Sequence, residues 1–168
     1  MLFPGGFGTF DEGFEALTLM QTGKSQLMPL VLVDKPGGTF WRTWDKNIRE
    51  QLLRDQLISP DDLSLYQITD RADEAVNIIT RFYRNFHSTR FVKDLLVIRL
   101  KQTPGESTLA RMNREFAGIL LKGKIQIIRP TPEERRDNDQ LSLARIAFAF
   151  NRRDYSRLRQ LIDVLNRV

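Results

Sequence analysis

Apolar and polar positions along the chain fall into short blocks that switch period every ten to fifteen residues. Met1-Leu2-Phe3 is a brief apolar stretch that runs into Pro4-Gly5-Gly6-Phe7-Gly8-Thr9, a glycine-rich turn, and then into a helical stripe. Phe10, Phe14, Leu17 and Gln21 share that stripe, with Ala16, Leu19 and Met20 widening its apolar face, so a helix is expected over about 10–22. Gly23 supplies its stop and Lys24 suits the negative helix end. Leu27 to Val33 is a continuous apolar run bounded by turn residues, the pattern of a strand buried on both faces in a parallel sheet. Asp34-Lys35-Pro36-Gly37-Gly38 reads as a loop, with Thr39 as the cap of a helix through Trp41, Trp44, Ile48 and Leu52. That spacing makes both tryptophans core residues. Ser59-Pro60-Asp61-Asp62 is a helix start, and its two acids are explained by capping. Leu65 to Ile68 is a short strand, after which Thr69 or Asp70 caps a helix through Ala75, Val76, Ile79, Phe82, Tyr83 and Phe86. Strands alternating with helices of this length specify a parallel α/β sheet with helical crossovers. Residues 1–86 contain strands enough for only the C-terminal half of a doubly wound domain.

Residues 87–168 change character. Asp94 to Leu100 reads as a strand, Glu106 to Leu121 as a helix ended by Gly123, and Lys124 to Ile128 as a second strand stopped by Pro130 and Pro132. Glu133 to Phe150, through Leu141, Ala144, Ile146, Ala147 and Phe148, and Asp154 to Val168 read as two closing helices. The expectation is a small α/β C-terminal appendage ordered strand, helix, strand, helix, helix.

Charge sharpens the division. Residues 1–80 carry 7 Lys/Arg against 12 Asp/Glu, whereas 81–168 carry 19 against 9. The basic charges are interleaved with acids, as on a solvated helical surface, and no RNA-module motif accompanies them, so nucleic acid is not an expected partner. A length of 168 residues with 41% hydrophobic content allows a buried core. Zero cysteines exclude disulfides and thiolate chemistry. No apolar run is long enough to cross a membrane and no export signal is visible, which makes a cytoplasmic protein the expectation.

Several signals for chemistry fail. Gly23-Lys24-Ser25 has Thr18 where a phosphate-binding P-loop needs glycine, and it follows a helix instead of opening one. His87 is the only histidine, which excludes multi-histidine metal sites and points to a structural role at a domain junction. Pro36-Gly37-Gly38 echoes the opening glycines without the following Gly-Thr and is expected only to turn a strand into a helix.

The opening motif remains. Its glycines can adopt positive φ and let a ligand approach bare backbone at a helix N-terminus, which is a place to hold an anion. Pro4-Gly5-Gly6-Phe7-Gly8-Thr9-Phe10-Asp11-Glu12 resembles PGGxGTxxE, the signature of the LOG ("lonely guy") family, often labelled lysine decarboxylase-like. Ala16 to Lys24 and Leu57 to Asp62 are similar to that family as well, and the resemblance covers residues 1 to about 86. It implies a Rossmann-like, dimeric phosphoribohydrolase that cleaves the N-glycosidic bond of nucleoside 5′-monophosphates, AMP or cytokinin ribotides among them, without a cofactor or metal. No lysine context for pyridoxal phosphate is visible. By this resemblance the backbone of Gly5, Gly6, Gly8 and Thr9, with the Thr9 hydroxyl, holds the 5′-phosphate, Glu12 acts at the ribose, and Glu15 supports it. Thr9-x-x-Glu12 is also a capping box, which would suffice for an isolated T-x-x-E, but the full nine-residue match favours function. The family's arginine-bearing partner motif stands upstream of PGGxGTxxE and is not in these residues. The expectation is therefore a chain that is incomplete as an enzyme and needs an N-terminal half, with a non-catalytic nucleotide- or phosphate-binding module, or an inactive fragment, as the alternative.

Overall fold

Leu30–Val33 forms β1, a strand buried along its whole length, and it pairs in parallel with β2, Tyr66–Thr69, from Leu30↔Tyr66 to Val33↔Thr69. These belong to a computed structural model that describes residues 1–167. On the other side of β1, Leu2 makes a parallel bridge to Leu32: its N–H donates to Val31 O at 2.9 Å, and its carbonyl accepts from Val33 N at 2.8 Å. Each of the three extended segments is followed by a helix: α1 (Phe7–Gln21), α2 (Phe40–Asn47) and α3 (Ala72–Phe82). The parallel α/β class expected for this half is what is found. One face of β1 is covered by α3, where Val31 and Val33 pack against Ala75 and Ile78. An aromatic cluster of Phe10, Phe14, Phe40, Trp41, Trp44 and Tyr66 ties α1 to α2 and β2. Both tryptophans are core residues, as their spacing indicates. The helix after Trp41 widens at Ile48–Leu53 into a π-helix, and Pro60–Leu65 is a 3₁₀-helix held by a Ser59/Asp62 capping box.

The chain divides into two units, Met1–Arg81 and Phe82–Val168. The second is a four-stranded antiparallel sheet of order β3-β4-β6-β5, from Phe86–Val92 (β3), Leu95–Leu100 (β4), Leu120–Ile127 (β5) and Ala144–Phe150 (β6). It carries α4 (Glu106–Glu115), the short α5 (Pro132–Arg136) and α6 (Tyr155–Leu165).

Several expectations for this unit are corrected. Ala144–Phe150 is a central strand and not the second half of a helix, because it pairs on both sides, with β4 and β5. The helix expected to reach Leu121 stops at Glu115, and β5 begins at Leu120. Gly123, at φ +73°, lies inside β5 where its pairing is interrupted, so it bends a strand and ends no helix. β3 was not anticipated, since only Phe86 and Val92 of its seven residues are buried. Val168, the expected end of the closing helix, lies outside the described residues.

A buried ionic network fixes the segment between α5 and β6. Arg99 of β4 and Arg145 of β6 stand opposite each other, and both donate to Glu134 of α5, which is fully buried. Among the described residues no helix is long and apolar enough to cross a membrane.

Candidate functional site

The site is built where the parallel segments end and their helices begin. α1 starts at Phe7, with Gly6 as its N-cap at φ −87°. Gly8 and Thr9 therefore lie inside the first turn. Two expectations are corrected here. Among the described glycines positive φ occurs at Gly23, Gly37 and Gly123 and not at Gly5, Gly6 or Gly8. Thr9 and Glu12 form no capping box, because the helix has begun before Thr9 and its N-cap receives no side-chain hydrogen bond. The glycines are explained by space. A Cβ on Gly5 would lie 2.2 Å from Thr9 Oγ1, whereas one on Gly6 or Gly8 would meet nothing within 4 Å. Gly5 is thus needed by the fold, and Gly6 and Gly8 leave bare backbone facing open space.

That end of α1 is electrostatically incomplete. Gly6 O accepts the amides of Thr9 and Phe10, which leaves Phe7 and Gly8 as first-turn amides that the helix itself cannot use. No acid stands in the first turn. A 15-residue helix directs its positive end here with neither a cap nor a counter-charge. Glu12 and Glu15 are exposed, and with Gly8 they follow the i, i+4, i+7 stripe of one helix face.

The second Pro-Gly-Gly segment has more to do than turn the chain. Asp34, the residue after β1, is buried; its carboxylate accepts from Lys35 N at 3.0 Å and from Trp41 N at 3.2 Å. It caps α2 in place of Thr39, which makes no side-chain cap bond. Asp70, the residue after β2, accepts from Gly37 N at 2.9 Å. The Gly37 N–H, with smaller help from Arg42 and Arg71, holds the Asp70 carboxyl below the ordinary carboxylate range. The two loops thereby form one wall of a cleft of about 810 Å³, lined also by Phe3, Pro4, Thr39 and Phe40. Such crevices outside the carboxyl ends of parallel strands are where α/β sheets bind ligands. With Asp34 and Asp70 engaged by backbone, Lys35 is a cation in that wall without an ion pair among the described residues.

This loop is rigid by construction. A Cβ on Gly38 would sit 2.2 Å from Asp34 Oδ1 and 2.9 Å from Lys35 O, and neither atom can yield without releasing an amide. Gly38→Ala is expected to lower the stability of the first unit by about 1–3 kcal/mol. Gly6→Ala is expected to change it by less than ~0.5 kcal/mol. Urea unfolding followed by tryptophan fluorescence checks both, because both tryptophans of the chain lie in this unit.

Of the residues singled out in the sequence, Gly5, Gly6, Gly8, Thr9, Glu12 and Glu15 all stand at or along the start of α1, while the cleft is lined from the first loop by Phe3 and Pro4. Asp34, Lys35 and Asp70 were missed. Their signal was position, each within two residues of the end of a strand of the parallel pair. His87 is exposed at the start of β3 with its Nδ1 3.0 Å from Ser88 Oγ. Among the described residues no three His, Cys, Asp or Glu side chains come together as a metal site.

Residues 1–79 match the family model described as possible lysine decarboxylase. No curated protein matches the chain.

Proposed function

Residues 1–79 belong to the lysine decarboxylase-like LOG family, and from that premise we propose that the first unit carries the phosphate-and-sugar side of a nucleoside 5′-monophosphate N-glycosidase site. The observation that carries this reading is the start of α1, where the first turn has no side-chain cap and no acid and the Cβ positions of Gly6 and Gly8 are open. A 5′-phosphate there would accept from the Phe7 and Gly8 amides and meet the positive helix end, a favourable contact of about 0.3–2 kcal/mol. Thr9 adds a hydroxyl and Lys35 a charge from the second loop. Glu12, one turn further, is then beside the ribose. As the C1′–N bond breaks, its carboxylate stabilises the positive charge on the sugar or orients the water whose oxygen bonds to C1′, while the base leaves with a proton. The same reading takes the protein as a cytoplasmic homodimer acting on AMP or cytokinin ribotides without a cofactor.

Incubating the full chain with AMP and measuring ribose 5-phosphate tests this. AMP should bind, whatever ribose 5-phosphate forms should be lost with Glu12→Ala while AMP still binds, and Gly6→Ala should weaken AMP binding without loss of stability. Turnover that survives Glu12→Ala would remove Glu12 from the chemistry. A second reading, a nucleotide-binding module without catalysis, is favoured by the position of Glu12 outside the cleft lining. It requires AMP to bind and remain intact.

A further inference from the structure

Two carboxylates line the cleft beside the glycine loop, and the fold has closed off one of them. Asp34 is buried, and its two oxygens accept from the Lys35 and Trp41 amides. Asp70 is partly exposed, and among the described residues its only donor from elsewhere in the chain is Gly37 N, at 2.9 Å from Oδ2. That contact joins two stretches of the cleft wall. Lys35, Pro36 and Thr39 line the cleft from the loop after β1, and Asp70 and Ala72 line it from the turn into α3, so the carboxylate stands in the wall between them. No cation pairs with Asp70 among the described residues; the neighbouring Arg71 pairs with Asp73.

The Gly37 N–H keeps Asp70 ionised at neutral pH, and an ionised carboxylate can only accept hydrogen bonds. The rest of the lining is largely apolar, with Phe3, Pro4, Val33 and Phe40, and Phe3 is 60% exposed. A volume of about 810 Å³ falls within the ~300–1,000 Å³ of small-molecule sites, whose walls are mostly apolar with a few placed polar groups. Proteins hold a planar base between apolar or aromatic side chains and tell it from others by hydrogen bonds to its Watson–Crick edge. An acceptor-only group is selective there. Guanine offers it two neighbouring donors, N1–H and the N2 amino group. Adenine offers one, the N6 amino group, beside an N1 lone pair that a carboxylate repels. Hypoxanthine keeps N1–H and lacks the amino group.

We propose that the cleft takes the base of the nucleotide and that Asp70 selects guanine, its carboxylate accepting from N1–H and from the N2 amino group. The inference rests on the reading of the first unit as a nucleoside 5′-monophosphate site: with the phosphate at the Phe7 and Gly8 amides, Phe3 and Pro4, a few residues earlier, bring the cleft alongside it. AMP is then a weaker ligand of the same site. Hydrogen bonds to a charged acceptor are about twice as strong as neutral ones, so loss of the 2-amino donor lowers affinity about tenfold.

The test is isothermal titration calorimetry on the full chain carrying Glu12→Ala, so that binding is read without turnover, with GMP, IMP and AMP and with the three matching nucleosides. GMP should bind about tenfold more tightly than IMP, AMP no more tightly than IMP, and the nucleosides should keep that order. Adding Asp70→Asn retains an oxygen for the Gly37 amide and turns an N–H₂ group toward the base. It should lower GMP affinity about tenfold and leave AMP affinity no lower, at unchanged circular dichroism. An Asp70 that served the fold alone would weaken all three nucleotides alike. The assignment is overturned if GMP binds no more tightly than IMP or AMP, if Asp70→Asn weakens all three equally, or if neither GMP nor guanosine binds. GMP binding no tighter than guanosine would instead remove the phosphate from the start of α1. In that event guanosine preferred over inosine still supports the role of Asp70, and guanosine bound no better than inosine overturns it.

Discussion

Replacing Glu134 by alanine is expected to destabilise the second unit by about 3–5 kcal/mol, a large part of the ~5–15 kcal/mol that holds a domain folded. Arg99 and Arg145 face each other on neighbouring strands, and like charges so placed repel. Glu134 turns this repulsion into cohesion: its carboxylate accepts from Arg99 Nε at 2.9 Å and from Arg145 Nε at 3.1 Å, with all three groups buried. Its second hydrogen-bonding task is the Thr131 amide, at 3.0 Å, in the capping box of α5. Arg145 also donates to the carbonyls of Asp139, Gln140 and Leu143, so the whole turn into β6 hangs on one guanidinium. Removing the carboxylate strands the buried Arg145 and leaves Arg99 with Asp139 as its remaining carboxylate. Urea unfolding followed by far-ultraviolet circular dichroism checks the loss. An unchanged midpoint would mean that the network contributes nothing.

The same carboxylate predicts an acid limb. Burial pushes Glu134 up, but the Thr131 amide and the two guanidiniums pull it down further, leaving it below its ordinary value. Arg90 holds Asp137 and Asp139 below theirs as well. A carboxyl depressed in the folded state contributes stability that is present above its unfolded pKa and is lost as pH falls through its folded pKa. Stability of this unit is therefore expected to fall as pH drops through and below the ordinary carboxylate range, and Glu134→Gln should flatten that fall.

In the first unit the largest loss is expected from Trp41→Ala, about 3–5 kcal/mol. Trp41 is 2% exposed and makes ring contacts with Phe10, Phe40 and Trp44. Its indole nitrogen is buried without an acceptor, so the donor costs stability and does not supply it. Trp41→Phe, which keeps the ring and discards the donor, should cost much less than Trp41→Ala. Both are read by urea unfolding with circular dichroism. A phenylalanine variant as unstable as the alanine one would refute the packing account.

The first unit was legible because its signals were local. Leu30 to Val33 is apolar without interruption, which only a strand covered on both faces requires, and Ser59-Pro60-Asp61-Asp62 carries its capping chemistry in four residues. In Ala144-Arg145-Ile146-Ala147-Phe148-Ala149-Phe150 nearly every position is buried, so neither a period of two nor one of 3.6 stands out, and alanine biases the reading toward helix. Pairing with strands distant in sequence decides it. β3 was hidden for the opposite reason, since His87-Ser88-Thr89-Arg90 is polar and sits at an edge. At the candidate site, the motif pointed to Gly5 through Glu12. Asp34 and Asp70 escaped because a carboxylate that ties two loops together through backbone amides has no signature in either loop alone.

The interrupted pairing within β5 has a bearing on behaviour at high concentration. β3 and β5 are the outer strands of their sheet, and such strands invite another chain to extend the ladder. In β5 the register breaks between Leu120 and Lys122 and again between Lys122 and Gln126, and Lys122 and Lys124 are exposed there. In β3 it breaks between Phe86 and Ser88. An incoming strand would meet amides out of step on either side, and on one of them a pair of ammonium groups. The broken registers thus guard the sheet against growing into an aggregate.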